Sequence, residues 1–297
     1  MASLHRFAVP VQQPFDWESL LAFLQLRATP GVEVVTGSAY KRTITDGLEA
    51  QTFSVTYGPV AATLQIEYSG KADTRSLVES RVQQMFKPDI NTGPIEAFLG
   101  RDPWLGGLVK RHAGLRVPGG WSALEISMRA ILGQQVSVPA ATTLMGRLVR
   151  TAGVRLDESL WLFPTAEQIA QADLTGLGVP VSRMETVKTL AAFFAEHGEQ
   201  CLKQPGIKDR LLALKGIGKW TAGYILMRTA DGSHDHWPEG DLILRKALSN
   251  GKTLSKDKTM IAHAALDQAF SRWSPYRSYA TIHIWKGYVP RVMNCKP

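Results

Sequence analysis

Hydrophobic and polar residues alternate along four short segments between residues 31 and 68. Each segment is rich in β-branched or aromatic residues and is followed by a turn with glycine or proline, a pattern that predicts antiparallel strands. The segments are Gly31–Val35, Tyr40–Ile44, Phe53–Tyr57 and Thr63–Tyr68. Before them, the apolar residues of Trp17–Arg27 recur at helical spacing, and Asp16 is placed to cap that helix. We therefore expect a small α+β domain with an antiparallel sheet over residues 1–90.

Beyond about residue 73 the apolar positions change to helical spacing. Leu124–Val149 predicts a pair of helices interrupted at Gly133–Ser137. Leu211–Thr229 and Lys256–Ser271 predict further helices. Because the helical spacing continues to the end of the chain, we predict an all-α second domain over residues 91–297.

Two pairs of residues mark where helices should begin in this second domain. Thr165 with Gln168, and Ser182 with Glu185, have the spacing of capping boxes. The helix after Ser182 should end at Gly198, because glycine readily terminates a helix. Its buried face is predicted to contain Val187, Leu190, Ala191 and Phe194.

The charge of the chain favours an anionic partner. The 297 residues are enough for two domains, and 34 Lys and Arg against 26 Asp and Glu give a net charge of +8. Such a surplus suits DNA, because basic side chains release counterions when they bind phosphates. Two cysteines, Cys201 and Cys295, are too few for a four-cysteine iron–sulfur cluster or zinc site. Without a visible secretory signal or an apolar run of ~18 residues, we expect a soluble cytoplasmic protein.

A glycine-rich turn lies between two helical patterns at Leu214–Ala222. Gly216 and Gly218 permit positive φ and leave backbone N–H groups open to a phosphate at the start of the next helix. Ile217 should anchor the turn in the core. An ordinary connection between two helices has the same pattern, so the turn alone leaves DNA binding open. It is not a dinucleotide-binding loop, because no strand precedes it.

A carboxylate follows the second of these helices, after a loop that contains Pro238 and Gly240. Asp241 stands where the cap of a helix at Leu242–Leu248 is expected. Taken alone, this position favours a structural capping role. The order of hairpin, loop, aspartate and helix also allows Asp241 to be a functional carboxylate.

Two motifs together resemble the helix-hairpin-helix DNA glycosylase superfamily: LKGIGKWTAGY at Leu214–Tyr224 and WPEGDLILRK at Trp237–Lys246. Three further segments resemble its alkylpurine branch, the DNA-3-methyladenine glycosylase II family. They are FDWESLLAFLQLRA at Phe15–Ala28, MRAILGQQVSV at Met128–Val138 and RWSPYRSYATIHIW at Arg272–Trp285. The resemblance covers almost the whole chain. It implies a TATA-binding-protein-like antiparallel domain, then a helical glycosylase domain with the helix-hairpin-helix at about 207–229 and the aspartate loop at 236–245.

The resemblance implies a monofunctional glycosylase that flips alkylated purines such as 3-methyladenine or 7-methylguanine out of the duplex and hydrolyses the glycosidic bond. Asp241 would be the catalytic carboxylate, because cleavage develops positive charge on the sugar. Bifunctional relatives carry a lysine two positions after the last hairpin glycine, where this chain has Trp220. The enzyme should therefore leave an abasic site, as in base excision repair. The DNA-binding residues of the hairpin would be Lys215, Gly216, Ile217, Gly218, Lys219 and Thr221.

Four aromatic residues match positions that line the family's base pocket, namely Phe23, Trp220, Tyr224 and Trp285. Their faces would stack on a cationic base. A place in the core is the alternative, since aromatic residues at helical spacing usually belong there. The loop Gly133–Ser137 resembles the segment that fills the stack vacated by a flipped base. Its candidate residues are Gln134, Gln135 and Ser137.

Two other functions remain as alternatives. A non-catalytic helix-hairpin-helix DNA-binding module would keep the glycines and lysines but would not require Asp241 or Trp285. A glycosylase for oxidised bases, or a bifunctional one, would be expected to have lysine in place of Trp220.

The remaining expectations concern cofactors and partners. His234 and His236 lack a third ligand at useful spacing, so no metal site is expected. Arg277 and His283 should make buried structural hydrogen bonds. No cofactor is expected, apart from a monovalent cation that the resemblance allows at hairpin carbonyls. The expected partner is double-stranded DNA with alkylated bases, and neither a membrane nor an obligate protein partner is implied.

Overall fold

Five antiparallel strands form the sheet at the start of the chain. The computed structural model describes residues 3–45, 50–71, 74–229, 232–249 and 258–293. The strands are β1 (Ser3–Pro10), β2 (Glu33–Val35), β3 (Ala39–Thr45), β4 (Ala50–Gly58) and β5 (Thr63–Gly70). Their order in the sheet is β1-β5-β4-β3-β2, and every neighbouring pair is antiparallel. The four strands predicted from alternation are thus confirmed.

The edge strand β1 was not predicted. It pairs with β5 over its full length, from Ser3 with Gly70 to Pro10 with Thr63. Within β1, Val9 is the buried residue, while the other positions are exposed or half-buried. An edge strand that buries so little apolar surface has only a weak hydrophobic pattern, which explains why sequence reasoning missed it.

Two helices cover one face of the sheet. They are α1 (Trp17–Gln25) and α2 (Thr74–Phe86). As predicted, Asp16 caps α1, since its carboxylate accepts a hydrogen bond of 2.9 Å from the backbone N–H of Ser19. Side chains of both helices join the sheet in one apolar core, which includes Trp17, Tyr40 and Phe86.

The rest of the chain is mainly helical. Its helices are α3 (Gly93–Leu99), α4 (Gly106–Arg111), α5 (Ala123–Leu132), α6 (Val138–Ala152), α7 (Ala166–Gln171), α8 (Val181–His197), α9 (Ile207–Leu212), α10 (Lys219–Thr229), α11 (Leu242–Leu248), α12 (Lys258–Arg272) and α13 (Arg277–Met293), with 3₁₀ turns at Thr175–Leu177 and Glu199–Lys203. The predicted break at Gly133–Ser137 is confirmed, because α5 ends before it and α6 begins after it. The start of the helix predicted at Lys256, and Cys295, lie outside the described residues.

A two-stranded ribbon interrupts this helical part, so the prediction of unbroken helical spacing was wrong there. The ribbon pairs β6 (Val154–Arg155) with β7 (Trp161–Leu162). The backbone N–H of Trp161 donates to the carbonyl of Gly31, and the hydroxyl of Thr43 donates to the carbonyl of Trp161. These hydrogen bonds to residues that are distant in sequence stabilise the ribbon, and no local sequence pattern indicates them.

One of the two predicted capping boxes is present. Thr165 and Gln168 exchange the expected side-chain and backbone hydrogen bonds at the start of α7. The box predicted at Ser182 and Glu185 was wrong, because α8 begins at Val181, immediately after Pro180. Pro180, with ψ 148°, is the last extended residue before the helix. Ser182 therefore lies inside the helix and not at its cap.

A buried ion pair joins the sheet to the helical part of the chain. The guanidinium of Arg42 on β3 donates to both carboxylate oxygens of Glu125 on α5, at 2.8 and 3.1 Å. The same guanidinium lies 4.8 Å from the ring centre of Trp121. From α5, Arg129 donates to the hydroxyl of Thr29 at 3.2 Å. Paired polar groups of this kind fix the orientation of α5 on the sheet.

Among the described helices, none combines the length and the apolar character that crossing a bilayer would require.

Candidate active site

The hairpin between α9 and α10 depends on one glycine. Gly216 has φ 87°, and a Cβ at this position would lie 2.0 Å from the hydroxyl oxygen of Thr186. No L-residue fits there without displacing the side chain of Thr186 on α8. Gly218 does not use the positive φ that glycine permits, and nothing lies within 4 Å of a Cβ added there. Ile217 is buried among residues of the main helical core, as predicted.

The two hairpin lysines are exposed, on the outer side of the turn. Lys219 is the first residue of α10. The ammonium of Lys215 lies 3.3 Å from a carboxylate oxygen of Glu185, and both side chains are largely in solvent. Thr221, in contrast, is buried behind the hairpin. The structure therefore separates an exposed basic edge from an inner residue that contacts protein.

Asp241 is a helix cap and also receives two hydrogen bonds from distant indoles. Its Oδ1 accepts from the backbone N–H groups of Ile243 and Leu244, both at 3.0 Å, which caps α11. The indole Nε1–H of Trp285 donates to the same oxygen at 3.2 Å. Trp220 donates its Nε1–H to Oδ2 at 2.9 Å. The carboxylate is 8% exposed, so four N–H groups hold it at the edge of the interior.

A close backbone approach brings this loop against α10. A Cβ on Gly223 would lie 2.0 Å from the carbonyl oxygen of Trp237, so the glycine lets the loop pack directly on the helix. Sequence reasoning missed Gly223. A glycine in the middle of a helix was the available signal, because it often marks close packing.

The start of the loop is held by α13. The guanidinium of Arg277 donates to both oxygens of Asp235, at 2.7 and 2.6 Å, so its predicted structural hydrogen bonds are present, but the side chain is 31% exposed and not buried as predicted. The hydroxyl of Ser278 donates to the carbonyl of His236 at 2.7 Å. In the described part of the chain no group of three His, Cys, Asp or Glu side chains is placed to hold a metal ion.

His283, on the same helix, does not make the hydrogen bonds that were predicted. It is 1% exposed, and neither ring nitrogen has a hydrogen-bond partner among the described residues. Burial, with a smaller contribution from the nearby His112, lowers its pKa to about 4, while Asp16 opposes the shift. An uncharged imidazole is therefore packed among the apolar residues of the last helices.

Three of the four predicted pocket aromatics form one cluster, which we call the aromatic cluster: Trp220, Tyr224 and Trp285. Trp220 stacks on Tyr224 with ring centres 5.3 Å apart and planes 19° apart. Tyr224 and Trp285 are 6.2 Å apart and tilted by 39°. Since Trp220 and Trp285 also bond to Asp241, the cluster and the carboxylate form a single site.

Phe23 contacts this site through arginines that sequence reasoning missed. The guanidinium of Arg228 lies 5.1 Å from the ring centre of Phe23 and donates to the hydroxyl of Tyr224 at 2.8 Å. Arg27 covers Phe23 at 3.7 Å. Burial raises the pKa of Tyr224, but the charges of Arg228, Arg27 and Arg129 outweigh it, so the pKa is lowered. The spacing of Tyr224 and Arg228, four residues apart on one helix, was the signal available in the sequence.

The loop Gly133–Ser137, which we call the displacement loop, lies beside the hairpin. Gln134 is half-buried, and its amide nitrogen donates to the carbonyl of Gly216 and to the hydroxyl of Thr221, both at 3.0 Å. Gln135 is exposed and has φ 59°. Ser137 caps α6 through the N–H of Ala140 at 3.3 Å. Gln134 and Ser137 therefore fix the loop on either side of Gln135, which is exposed to solvent.

Comparison with known protein families and sequences gives consistent matches. The family model described as the AlkA N-terminal domain matches residues 6–122. A DNA-3-methyladenine glycosylase 2 from Escherichia coli is 33% identical over 291 residues, which cover 94% of this chain and 97% of that protein. A protein from Mycobacterium tuberculosis, named probable bifunctional transcriptional activator/DNA repair enzyme AlkA, is 34% identical over 93% of this chain. The chain spans 56% of the length of that relative, little more than half.

Solved structures match over almost the whole chain. A 3-methyladenine DNA-glycosylase from Archaeoglobus fulgidus has a TM-score of 0.80 at 23% identity, and the match covers 98% of this chain and 100% of that one. A Clostridium acetobutylicum 8-oxoguanine glycosylase/lyase in complex with double-stranded DNA has a TM-score of 0.73 at 15% identity, over 99% and 98% of the chains. These matches confirm the predicted fold class, an α+β antiparallel domain followed by a helix-hairpin-helix glycosylase domain. The predicted boundary between residues 90 and 91 stays a prediction.

Proposed function

This chain belongs to the DNA-3-methyladenine glycosylase 2 (AlkA) family, and we propose that it excises alkylated purines from double-stranded DNA. Its substrates would be 3-methyladenine, 7-methylguanine and related bases, and its product an abasic site for base excision repair. One observation carries the proposal: the carboxylate of Asp241 is held by the indoles of Trp220 and Trp285, which belong to the aromatic cluster.

The hydrogen bonds of Asp241 leave one oxygen with spare capacity. Oδ1 accepts three hydrogen bonds, from Ile243, Leu244 and Trp285, whereas Oδ2 accepts one, from Trp220. Because each carboxylate oxygen has about two lone-pair directions, Oδ2 can still face a ligand. A negative charge there would stabilise the positive charge that develops on the sugar as the bond from C1′ to the base breaks. The same oxygen could accept a proton from the water that then adds to C1′.

The aromatic cluster would receive the flipped base by a small movement. A purine between two parallel rings needs them about 7 Å apart, since each stacked contact takes about 3.5 Å. The ring centres of Tyr224 and Trp285 are 6.2 Å apart and their planes are tilted by 39°, so we infer that the rings turn toward parallel and move apart when the base enters. The faces of both rings would then attract a cationic purine.

The presence of Trp220 where bifunctional relatives have lysine supports simple hydrolysis. Trp220 stands at the position of the lyase lysine in bifunctional relatives, and its indole donates to Asp241. Lys219 precedes it and is exposed, on the outer side of the hairpin. A Schiff base with the sugar requires an amine at the reacting carbon, so we propose that strand cleavage does not follow base release. This argues against the bifunctional alternative.

The partner would be duplex DNA, which the hairpin would hold by a phosphate. The N–H groups at the start of α10 and the exposed Lys215 and Lys219 form a favourable site for an anion. The net charge of +8 adds attraction that does not depend on sequence. A monovalent cation at the hairpin carbonyls stays a prediction.

A panel of duplexes, each with one defined lesion, tests the proposal. The lesions are 3-methyladenine, 7-methylguanine, hypoxanthine and 8-oxoguanine, and free base is measured before the strands are treated with alkali. We expect release of the alkylated purines and strand breaks that appear only after alkali. Breaks without alkali would contradict the monofunctional mechanism, and release of 8-oxoguanine alone would favour the oxidised-base alternative.

A further inference from the structure

The two glutamines of the displacement loop have different surroundings. Gln135 is exposed, with φ 59°, a conformation that L-residues adopt rarely. Gln134 turns back to the protein, and both hydrogens of its amide are used, one on the carbonyl of Gly216 and one on the hydroxyl of Thr221. The loop thus has one anchored and one presented glutamine in consecutive positions.

The groups that Gln134 contacts are themselves fixed. Gly216 has φ 87° and lies against Thr186, so its carbonyl direction is determined by the hairpin. Thr221 is 2% exposed in the first turn of α10. The helix α10 packs along α5, the helix that ends just before the loop. The amide of Gln134 therefore connects the loop to two rigid parts of the protein, the hairpin and the first turn of α10. Gln135, the next residue, is thereby held at a fixed position relative to the hairpin.

We propose that Gln134 is a positioning residue, which fixes Gln135 relative to the phosphate-binding hairpin so that base displacement occurs in register with DNA binding. The inference rests on the proposed function, because it assumes that the loop enters a duplex. Gln134 has no donor role toward DNA in this proposal, since its donors are already used within the protein.

The same anchor lies next to the carboxylate. Thr221, which accepts from Gln134, follows Trp220, which donates to Asp241. Two neighbouring residues in the first turn of α10 therefore make both connections: Thr221 contacts the displacement loop, and Trp220 contacts the carboxylate that we propose to be catalytic. A loop in the wrong place would leave the sugar displaced from Oδ2, and misplacement by about 1 Å lowers rates by as much as a hundredfold.

The variant Gln134→Leu tests this by removing both hydrogen bonds at similar side-chain volume. The duplex carries 2-aminopurine next to the lesion, so that its fluorescence reports base displacement, and single-turnover excision and the Kd for undamaged duplex are measured in parallel. We expect lower fluorescence and an excision rate reduced about tenfold to a hundredfold, with the Kd within twofold of the wild-type value. Gln13→Leu is the matched control, because Gln13 also donates to a distant side chain, Tyr57, at 3.0 Å, but on the sheet.

Three outcomes would overturn the proposal. Unchanged fluorescence and excision would show that the anchor is not needed. If the Kd rises and its salt dependence becomes weaker while excision falls, Gln134 contacts DNA directly instead. Equal losses in Gln13→Leu would show a general loss of stability. If the wild-type protein releases no base at all, the proposed function fails, while the fluorescence still tests the role of Gln134.

A double-mutant cycle with Gln135→Ala shows whether Gln134 acts through its neighbour. If it does, adding Gln134→Leu to Gln135→Ala should lower excision less than twofold further, because the positioned side chain is already gone. Independent, multiplicative losses would mean that Gln134 acts by another route, and the proposal would be wrong.

Discussion

Asp241 caps a helix and is also the carboxylate that we propose for catalysis, two roles that are usually treated as alternatives for an aspartate before a helix. Its Oδ1 caps α11 through two backbone N–H groups, while the indoles of Trp220 and Trp285 hold the carboxylate from other helices. A capping residue has a fixed orientation, and a catalytic carboxylate needs one. The cap therefore contributes to the proposed chemistry by holding Oδ2 in a constant direction.

The variant Asp241→Asn should separate these two roles. Asparagine caps helices about as well as aspartate, so α11 should stay formed, and the melting temperature should fall only by the cost of the lost hydrogen bond from Trp220. The negative charge is lost, and an amide nitrogen at the position of Oδ2 would face the N–H of Trp220. We expect excision of 3-methyladenine in single-turnover assays to fall about 10²–10³-fold or more, with duplex affinity retained. Excision within tenfold of the wild-type rate would exclude Asp241 as the catalytic carboxylate.

The aromatic cluster allows a prediction about the charge of the base. Arg27 and Arg228 place positive charge behind Tyr224, so attraction of a cationic base depends on the exposed ring faces. Trp285→Ala should lower excision of 7-methylguanine about 2- to 30-fold more than excision of neutral hypoxanthine, given about 0.5–2 kcal/mol for one cation–π contact. Trp285→Phe is the control, since it keeps a ring face but loses the hydrogen bond to Asp241. Equal losses for both bases in Trp285→Ala would refute the cation–π contribution.

At the scale of elements, the two hairpin glycines should behave differently. Gly216→Ala forces an L-residue into a left-handed conformation, which costs about 1–2 kcal/mol, and also displaces Thr186. We expect the Kd for undamaged and damaged duplex to rise about tenfold alike.

Gly218→Ala provides the matched comparison for that prediction. Nothing lies within 4 Å of its added Cβ, so the fold and melting temperature should be unchanged. A higher Kd for duplex DNA in this variant would therefore report only the close approach of a phosphate to the backbone. Wild-type affinity in Gly218→Ala would contradict that approach.

Elements with a strong local pattern could be predicted from the sequence, and those held by distant contacts could not. The strands β2–β5, the break between α5 and α6, and the cap of α1 follow from alternation, spacing and Asp16. β1 depends on its pairing with β5, and the ribbon β6–β7 depends on hydrogen bonds to Gly31 and Thr43. In the same way, sequence motifs indicated Asp241 and Trp220. Gly223 and Arg228 had only weak local signals, and the role of Arg27 becomes recognisable from its contact with Phe23 in the folded chain.

At the scale of the whole molecule, His283 should make stability depend on pH. Its pKa is lowered to about 4 in the folded protein from an ordinary value of 6.5, so the unfolded chain binds a proton more readily between these values. This difference destabilises the folded state as pH falls through that range, by about 2 kcal/mol between pH 7 and pH 5.

The variant His283→Leu should remove that dependence. Its free energy of unfolding, from urea denaturation, should fall less than that of the wild-type protein between pH 7 and pH 5. The matched variant His5→Leu removes an imidazole from the edge strand and controls for the substitution itself. Equal pH dependence in His283→Leu and wild type would mean that other groups dominate.

The contact of Phe23 with Arg228 and the pairing of Arg42 with Glu125 have an evolutionary consequence. One wall of the proposed base-recognition site comes from the sheet region, while the carboxylate that would cleave the bond comes from the helical region. Substitutions near α1 could therefore retune which damaged nucleotides are accepted while leaving hydrolysis intact. A hybrid that carries the sheet region of a relative should inherit the lesion spectrum of that relative, provided that the residues paired across the junction are transplanted as well.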